Sequence, residues 1–293
     1  MSLPIVDWSA ETRAADIGAA ARDSGFFLLR NHGISDSLVS DIFASAENFF
    51  ALPEAEKRPL AIGPDNRGWA AEGTEQLDPS GAPDRKEAFN MGLDLAADDP
   101  RVLRGEPFRG VNKWPALPGF ADTLRRYFDV VHALGVDVMG AVADDLGLGT
   151  DYFDDSFDAP IATLRLLSYP AARAGQEIGA GAHSDYGALT FLLTDGVPGL
   201  QVKARSGGWL DVPHMPGAFV VNIGDCLMRW SNDVYVSTPH RVLPPPARRM
   251  SVAFFLDPNP DARIAALPGT GIPRYPETTG AAYLRERLEA TYG

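Results

Sequence analysis

The chain has 293 residues, 45% of them hydrophobic, which is enough for a sizeable core in one large domain or two ordinary ones. Its formal net charge of -13 argues against nucleic acid or an anionic membrane as the main partner, because neither is attracted to an acidic surface. The one cysteine, Cys226, excludes an internal disulfide framework and a Cys-rich zinc site, and it fits a reducing compartment.

In chain order, residues 3–6 and 26–30 read as short strands, with an Ala-rich helix over 10–23 between them. The segment Met1 to Trp8 lacks the basic and apolar regions of a signal peptide, and no apolar run approaches the roughly 18 residues of a membrane span. The expectation is a cytoplasmic protein. A second helix is predicted over 35–51, where Leu38, Ile42, Ala46, Phe49 and Phe50 recur at helical spacing and Pro53 stops the run. Residues 62–84 are rich in Gly, Pro and Asp and read as a long loop, which in a compact domain is often functional. Residues 93–119 continue irregularly.

From Phe120 to Leu146 apolar residues return every three or four positions, which predicts a long amphipathic helix ended by Gly147 or Gly149. Beyond residue 160, short β-rich runs follow at 162–169, 188–193, 199–203, 209–211, 218–222, 234–243 and 250–256. Strands so closely spaced imply a sandwich or barrel. Asn222 to Asp225 reads as a strand end and turn, and Trp230 to Asp233 as a turn between strands. Residues 279–292 read as a closing helix.

Five histidines are available: His32, His132, His183, His214 and His240. His183 stands two positions before Asp185, and on an extended segment such residues project to the same face. Both can therefore point at one ion. A third ligand from a distant strand would give two imidazoles and one carboxylate, a facial set that leaves Fe(II) open for O2 chemistry. A His-x-Asp tripeptide alone is a weak signal, and a polar turn is the plain alternative. His240, near the start of a strand-like run, is favoured as the third ligand. His32 suits a cap beside Gly33, His132 packing on the long helix, and His214 a loop between prolines.

Arg249 and Ser251 share one face of the strand that runs on to Leu256. A guanidinium pointing into a barrel needs an anion, and a bidentate carboxylate is the natural partner. A dicarboxylate such as 2-oxoglutarate fits. The alternative is a surface arginine with an internal Asp partner.

Three segments carry a resemblance: Gly181-Ala-His183-Ser-Asp185-Tyr-Gly, Ser237-Thr-Pro-His240-Arg-Val and Arg249-Met-Ser251. Together they resemble the Fe(II)/2-oxoglutarate oxygenases of the isopenicillin N synthase-like superfamily. Gly25 to Ile34 and Arg85-Lys86-Glu87-Ala-Phe89 look like that family's amino-terminal segments, so the likeness spans nearly the whole chain. The implied fold is mostly β with flanking helices, a distorted double-stranded β-helix (a cupin-like jelly roll). Residues 1–118 would form an N-terminal α/β region and 119–293 the jelly-roll core with the long and C-terminal helices, as one integrated domain.

The implied metal ligands are His183, Asp185 and His240. Arg249 and Ser251 would take the distal carboxylate of 2-oxoglutarate, and Tyr169 would line its pocket. Leu167 stands where many relatives carry Asn, which removes one polar contact. The implied reaction is oxidation of a small molecule by O2 with release of succinate and CO2, as hydroxylation, desaturation or ring closure. Ethylene-forming fragmentation of 2-oxoglutarate, an isopenicillin N synthase-like oxidase and a non-catalytic jelly roll are the alternatives. Candidate substrate contacts are Arg67, Trp69, Phe89, Asn90, Arg165, Tyr186 and Phe255, with Arg229 and Trp230 behind them. Trp69 beside Arg67 would suit an amino acid or small aromatic acid. Residues 62–84 and 279–292 are expected to cover the barrel mouth, with Trp69 docking on substrate. Cys226 reads as a small buried hydrophobe.

Overall fold

The strand-forming runs are apolar at nearly every position, the pattern of strands covered on both faces. The computed structural model describes residues 3–76, 83–174 and 178–292 and reveals both covers. The first part runs β1 (Ile5–Asp7), α1 (Arg13–Asp23), β2 (Phe26–Arg30), α2 (Asp36–Phe50), α3 (Glu54–Lys57), β3 (Gly68–Ala70), β4 (Glu87–Gly92) and α4 (Pro100–Leu103). After α5 (Phe120–Asp145) and α6 (Asp154–Phe157) come β5 (Thr163–Tyr169), β6 (Ala180–His183), β7 (Leu189–Thr194), β8 (Leu200–Lys203), β9 (Trp209–Asp211) and β10 (Phe219–Ile223). The chain closes through α7 (Asp225–Trp230), β11 (His240–Val242), β12 (Arg249–Leu256), the pair β13 (Arg263–Ile264) and β14 (Thr278–Thr279), and α8 (Gly280–Tyr292).

Eight strands form one sheet in the order β1-β2-β10-β7-β12-β5-β4-β3, and four form a second, β6-β11-β8-β9. Strands from both ends of the chain thus share the larger sheet. Its outer face packs on helices: Val252, Phe254 and Leu256 of β12 join Phe49 of α2 and Leu124, Val131 and Val138 of α5. Its inner face looks at the smaller sheet, where Ala253 and Phe255 of the same strand meet Leu167, Leu200 and Val242. β5 alternates the same way, with Leu164 and Leu166 toward the helices and Leu167 and Tyr169 inside. Two buried faces explain why simple hydrophobic/polar alternation is absent from these strands. α5 stops where Gly147 adopts φ 73° and the Leu148 amide turns back to the Ala143 carbonyl at 2.8 Å. Among the described residues no helix is long and apolar enough to cross a membrane.

Three sequence expectations differ from the structure. Of the strand run over 234–243 only His240–Val242 is a strand, and Asp225–Trp230 is a helix. Asn232 and Asp233, at φ 55° and 66°, end that helix, and the Asn232 amide holds the Thr270 and Ile272 carbonyls. The loop over 62–84 is interrupted by β3, which pairs with β4 so that Trp69 lies opposite Phe89. Residues 77–82 of that loop lie outside the described residues. Trp69 is 6% exposed and packs in the helix-side core. Its indole N–H donates to Glu87 Oε2 at 2.9 Å, and Lys57 Nζ sits 5.2 Å from the ring centre while pairing with Glu87 at 2.6 Å. Trp69 is therefore a core residue and cannot swing onto substrate. Trp69→Ala is expected to lose about 3–5 kcal/mol of stability, as buried aromatic deletions do; urea unfolding followed by circular dichroism measures it, and a loss below about 1 kcal/mol would refute this placement.

Candidate active site

β6 and β11 pair antiparallel, with His183 directly opposite His240. Their rings lie 4.4 Å apart, inclined at 53°. Asp185 follows two residues after His183, just beyond the strand. Its Oδ1 is 3.7 Å from His183 Nε2 and 3.6 Å from His240 Nε2. The three ligand atoms all lie within 4.8 Å of one another.

The other oxygen of Asp185 is fully engaged. Oδ2 accepts from Thr190 Oγ1 at 2.6 Å and from Asn222 Nδ2 at 2.8 Å. Thr190 on β7 and Asn222 on β10 are register partners in the larger sheet. That sheet therefore holds the carboxylate still while the smaller sheet supplies the imidazoles. Sequence reading missed both donors. The available signal was a lone polar residue inside each of two apolar strands, Leu-Thr190-Phe and Val-Asn222-Ile.

His183 Nδ1 lies 2.8 Å from the Gly181 carbonyl, which fixes Nδ1 as the donor and leaves Nε2 a free lone pair toward the cluster. Burial, then the neighbouring His240, lowers the His183 pKa to about 4, so its ring is neutral at pH 7. Burial alone would raise the Asp185 pKa, but the two imidazoles, Thr190 and Asn222 outweigh it and hold the carboxyl below its usual range. Two imidazoles and one carboxylate form a nitrogen and oxygen donor set that fits a divalent cation. The remaining histidines are engaged elsewhere: His32 with the Gly217 carbonyl, His132 with the Phe157 carbonyl and His214 with Thr194.

The triad opens onto a cavity of about 240 Å³ between the sheets. Arg249, Ser251 and Tyr169 line the same cavity and are all buried. Arg249 is 1% exposed, yet its guanidinium meets only the Val197 carbonyl at 3.2 Å, Ser251 Oγ at 3.4 Å and the face of Tyr169 at 5.2 Å. Among the described residues no carboxylate pairs with it. Arg241 stacks on Trp209, and Arg248 reaches Ser168 and Glu47, so neither enters the cavity.

Of the candidate substrate contacts, Arg67, Arg165, Tyr186 and Phe255 line the cavity. Trp69, Phe89 and Asn90 do not. Phe89 packs with Phe49 and Phe120 in the helix-side core, and the Asn90 amide donates to Asn66. Arg229 and Trp230 also lie elsewhere, Arg229 over the Tyr275 ring and Trp230 against Phe153. An ionic network floors the cavity: Lys86 pairs with Asp84 and, at 3.2 Å, with Glu75, which in turn pairs with Arg165. Burial opposes the charge on Glu75, but Arg165 and Lys86 prevail and lower its pKa to about 2. Asp84 also accepts the Gly181 amide at 3.0 Å, so the network braces β6 just before His183. Leu284 and Leu288 of α8 also line the cavity, and the same helix is tied down where Tyr186 OH meets Thr291 Oγ1 at 2.5 Å and Arg287 pairs with Asp225 at 2.9 Å.

Comparison with known proteins decides the family. Residues 3–117 match the model of the "non-haem dioxygenase in morphine synthesis N-terminal" region, and residues 160–258 match that of the "2OG-Fe(II) oxygenase superfamily". The 2-oxoglutarate-Fe(II) type oxidoreductase hxnY of Emericella nidulans is 37% identical over 286 residues, covering 92% of this chain and 82% of that protein. The chain belongs to the 2-oxoglutarate-Fe(II) oxygenase superfamily. A full-length Neurospora crassa protein, crystallised with alpha-KG and thymine, superposes with a TM-score of 0.88 at 35% identity, covering 99% of this chain and 97% of that one. A 2OG-Fe(II) oxygenase family protein from Caulobacter crescentus gives the same TM-score at 32% identity, with 98% of each chain covered. The fold is the double-stranded β-helix of these oxygenases. The chain is a 2-oxoglutarate-dependent non-haem iron dioxygenase.

Asn222→Ala removes one of the two donors that aim Asp185. Supporting contacts of this kind are worth about 10- to 100-fold in metal affinity. Titration of the apo-protein with Fe(II) under anaerobic conditions should find a loss in that range, and an unchanged affinity would show that Thr190 alone suffices.

Proposed function

We propose that His183, Asp185 and His240 hold Fe(II), and that Arg249 and Ser251, under the face of Tyr169, receive the distal carboxylate of 2-oxoglutarate. The observation that carries this reading is the Arg249 guanidinium: it is buried, has no carboxylate partner among the described residues and faces the same cavity as the triad. A buried cation without an anion is costly, so the site is built to receive one. Bound Fe(II) supplies the O2 chemistry. The chain's own residues do the rest. Arg249 and Ser251 fix one end of the co-substrate, the three ligands leave room at the metal, and Leu284 and Leu288 restrict water.

The substrate in this reading is a compact polar molecule, the size of a nucleobase or amino acid. A cavity of about 240 Å³ supports that size. Its walls pair apolar faces from Phe255 and Leu192 with polar groups from Arg67 and Arg165. The thymine bound by the Neurospora relative is of this kind. The reaction is oxidation of one substrate C–H, as hydroxylation, desaturation or ring closure. The net charge of -13 supports a small-molecule substrate over nucleic acid, and a cytoplasmic setting suits the single buried thiol.

His240→Ala is expected to abolish Fe(II) binding, measured as metal content after anaerobic loading, because two remaining ligands cannot hold a labile ferrous ion. Arg249→Leu should raise the KM for 2-oxoglutarate in a succinate-release assay. Loss of one partner of a buried charge-assisted pair is worth about 2–5 kcal/mol, which is tens- to thousands-fold. A change within twofold would put the anchor elsewhere.

A further inference from the structure

β12 presents four residues to the cavity on one face, Arg249, Ser251, Ala253 and Phe255, and Asp257 follows in the same phase just past the strand's end. At roughly 3.3 Å per residue, Arg249 and Asp257 stand about 26 Å apart along the chain, at opposite ends of that face. The end with Arg249 is the co-substrate end. Asp257 marks the other, where Ile161 and Leu284 also line the cavity.

Asp257 is 7% exposed, and among the described residues its carboxylate makes no hydrogen bond and no ion pair. The other buried carboxylates of the cavity region do not share this state. Asp84 has Lys86, and Asp185 has Thr190 and Asn222. The Asp257 carboxylate lies against the backbone of Gly187, where an added Cβ would come within 2.9 Å of Oδ1. That glycine is two residues past Asp185, so a group held by Asp257 sits beside the metal cluster. A buried carboxylate with no donor is costly, and such a group persists where a ligand supplies the donor.

We propose that Asp257 is a specificity-determining residue whose carboxylate accepts an N–H of the substrate, from a ring N–H, an amide or an ammonium group. The proposal rests on the functional reading above for the placement of iron and co-substrate. With 2-oxoglutarate anchored at Arg249, the N–H is held at the far end, and the oxidised C–H lies near it in the substrate.

The test uses the holoenzyme with Fe(II) and 2-oxoglutarate under anaerobic conditions. Two matched pairs serve as probes: uracil against 1,3-dimethyluracil, and butylamine against 1-butanol. Dissociation constants are measured by calorimetry. The N–H member of at least one pair should bind about 10- to 100-fold tighter, as expected for a hydrogen bond to a charged group. Asp257→Leu should erase that preference, and Asp257→Asn should erase the preference for the ammonium. Without probe, Asp257→Asn should raise Tm by about 2–4 °C, because a stranded charge is removed. Equal binding within both pairs, no measurable binding of either N–H member, a preference surviving in Asp257→Leu, or a fall in Tm for Asp257→Asn would each overturn the proposal. Probe-free succinate release by the native enzyme reports on the 2-oxoglutarate reading alone, so failure of one reading is distinguishable from failure of the other.

Discussion

The site depends on how the Asp185 carboxylate is shared between two sheets. One oxygen is bound by Thr190 and Asn222 from the larger sheet, and the other is left to the two imidazoles of the smaller sheet. Neither sheet alone could build this arrangement. An ionised carboxylate inside a protein must be hydrogen-bonded or paired, and here it is both. Its position fixes where the sheets meet and therefore where the cavity lies.

The cavity gathers groups whose charges the protein leaves partly uncompensated. Asp185 brings a carboxylate to the triad, and in the same cavity Arg249 is buried with no carboxylate paired to it among the described residues. These charges oppose folding, because desolvation is not fully offset inside the chain. The apolar packing on the outer face of the same strands provides the compensating stability. Val252, Phe254 and Leu256 are in the helix-side core, one residue out of phase with the functional face of β12. A strand with period two can thus serve the core and the site at once.

Charged residues that resemble family signatures act here as scaffold. Glu87 holds Lys57 and the Trp69 indole, which fixes α3 and β3 against β4. Lys86 ties Asp84 to Glu75, and Asp84 reaches the backbone of β6. A segment distant in sequence from the ligands thereby sets the height of His183. Such networks are rigid when fully satisfied, which suits a support for metal ligands.

The sequence by itself determined the long helix, the mostly β second half and the ligand-bearing segments. Those features follow from local rules: helical period in α5, short β-rich runs after residue 160, and the two-residue spacing of His183 and Asp185. The face shared by Arg249 and Ser251 followed from the same alternation. Tertiary structure decided the rest. Trp69 and Phe89 were indistinguishable from cavity residues in sequence, because an aromatic side chain packs equally well on either face of a sheet. Only the pairing of β3 with β4 turned them to the core. The helix over residues 225–230 is followed by a turn in which Asn232 holds carbonyls 38 and 40 positions away, contacts no local pattern announces. Thr190 and Asn222 became partners of Asp185 for the same reason: the register of β7 with β10 is a long-range fact, set by the packing of whole sheets.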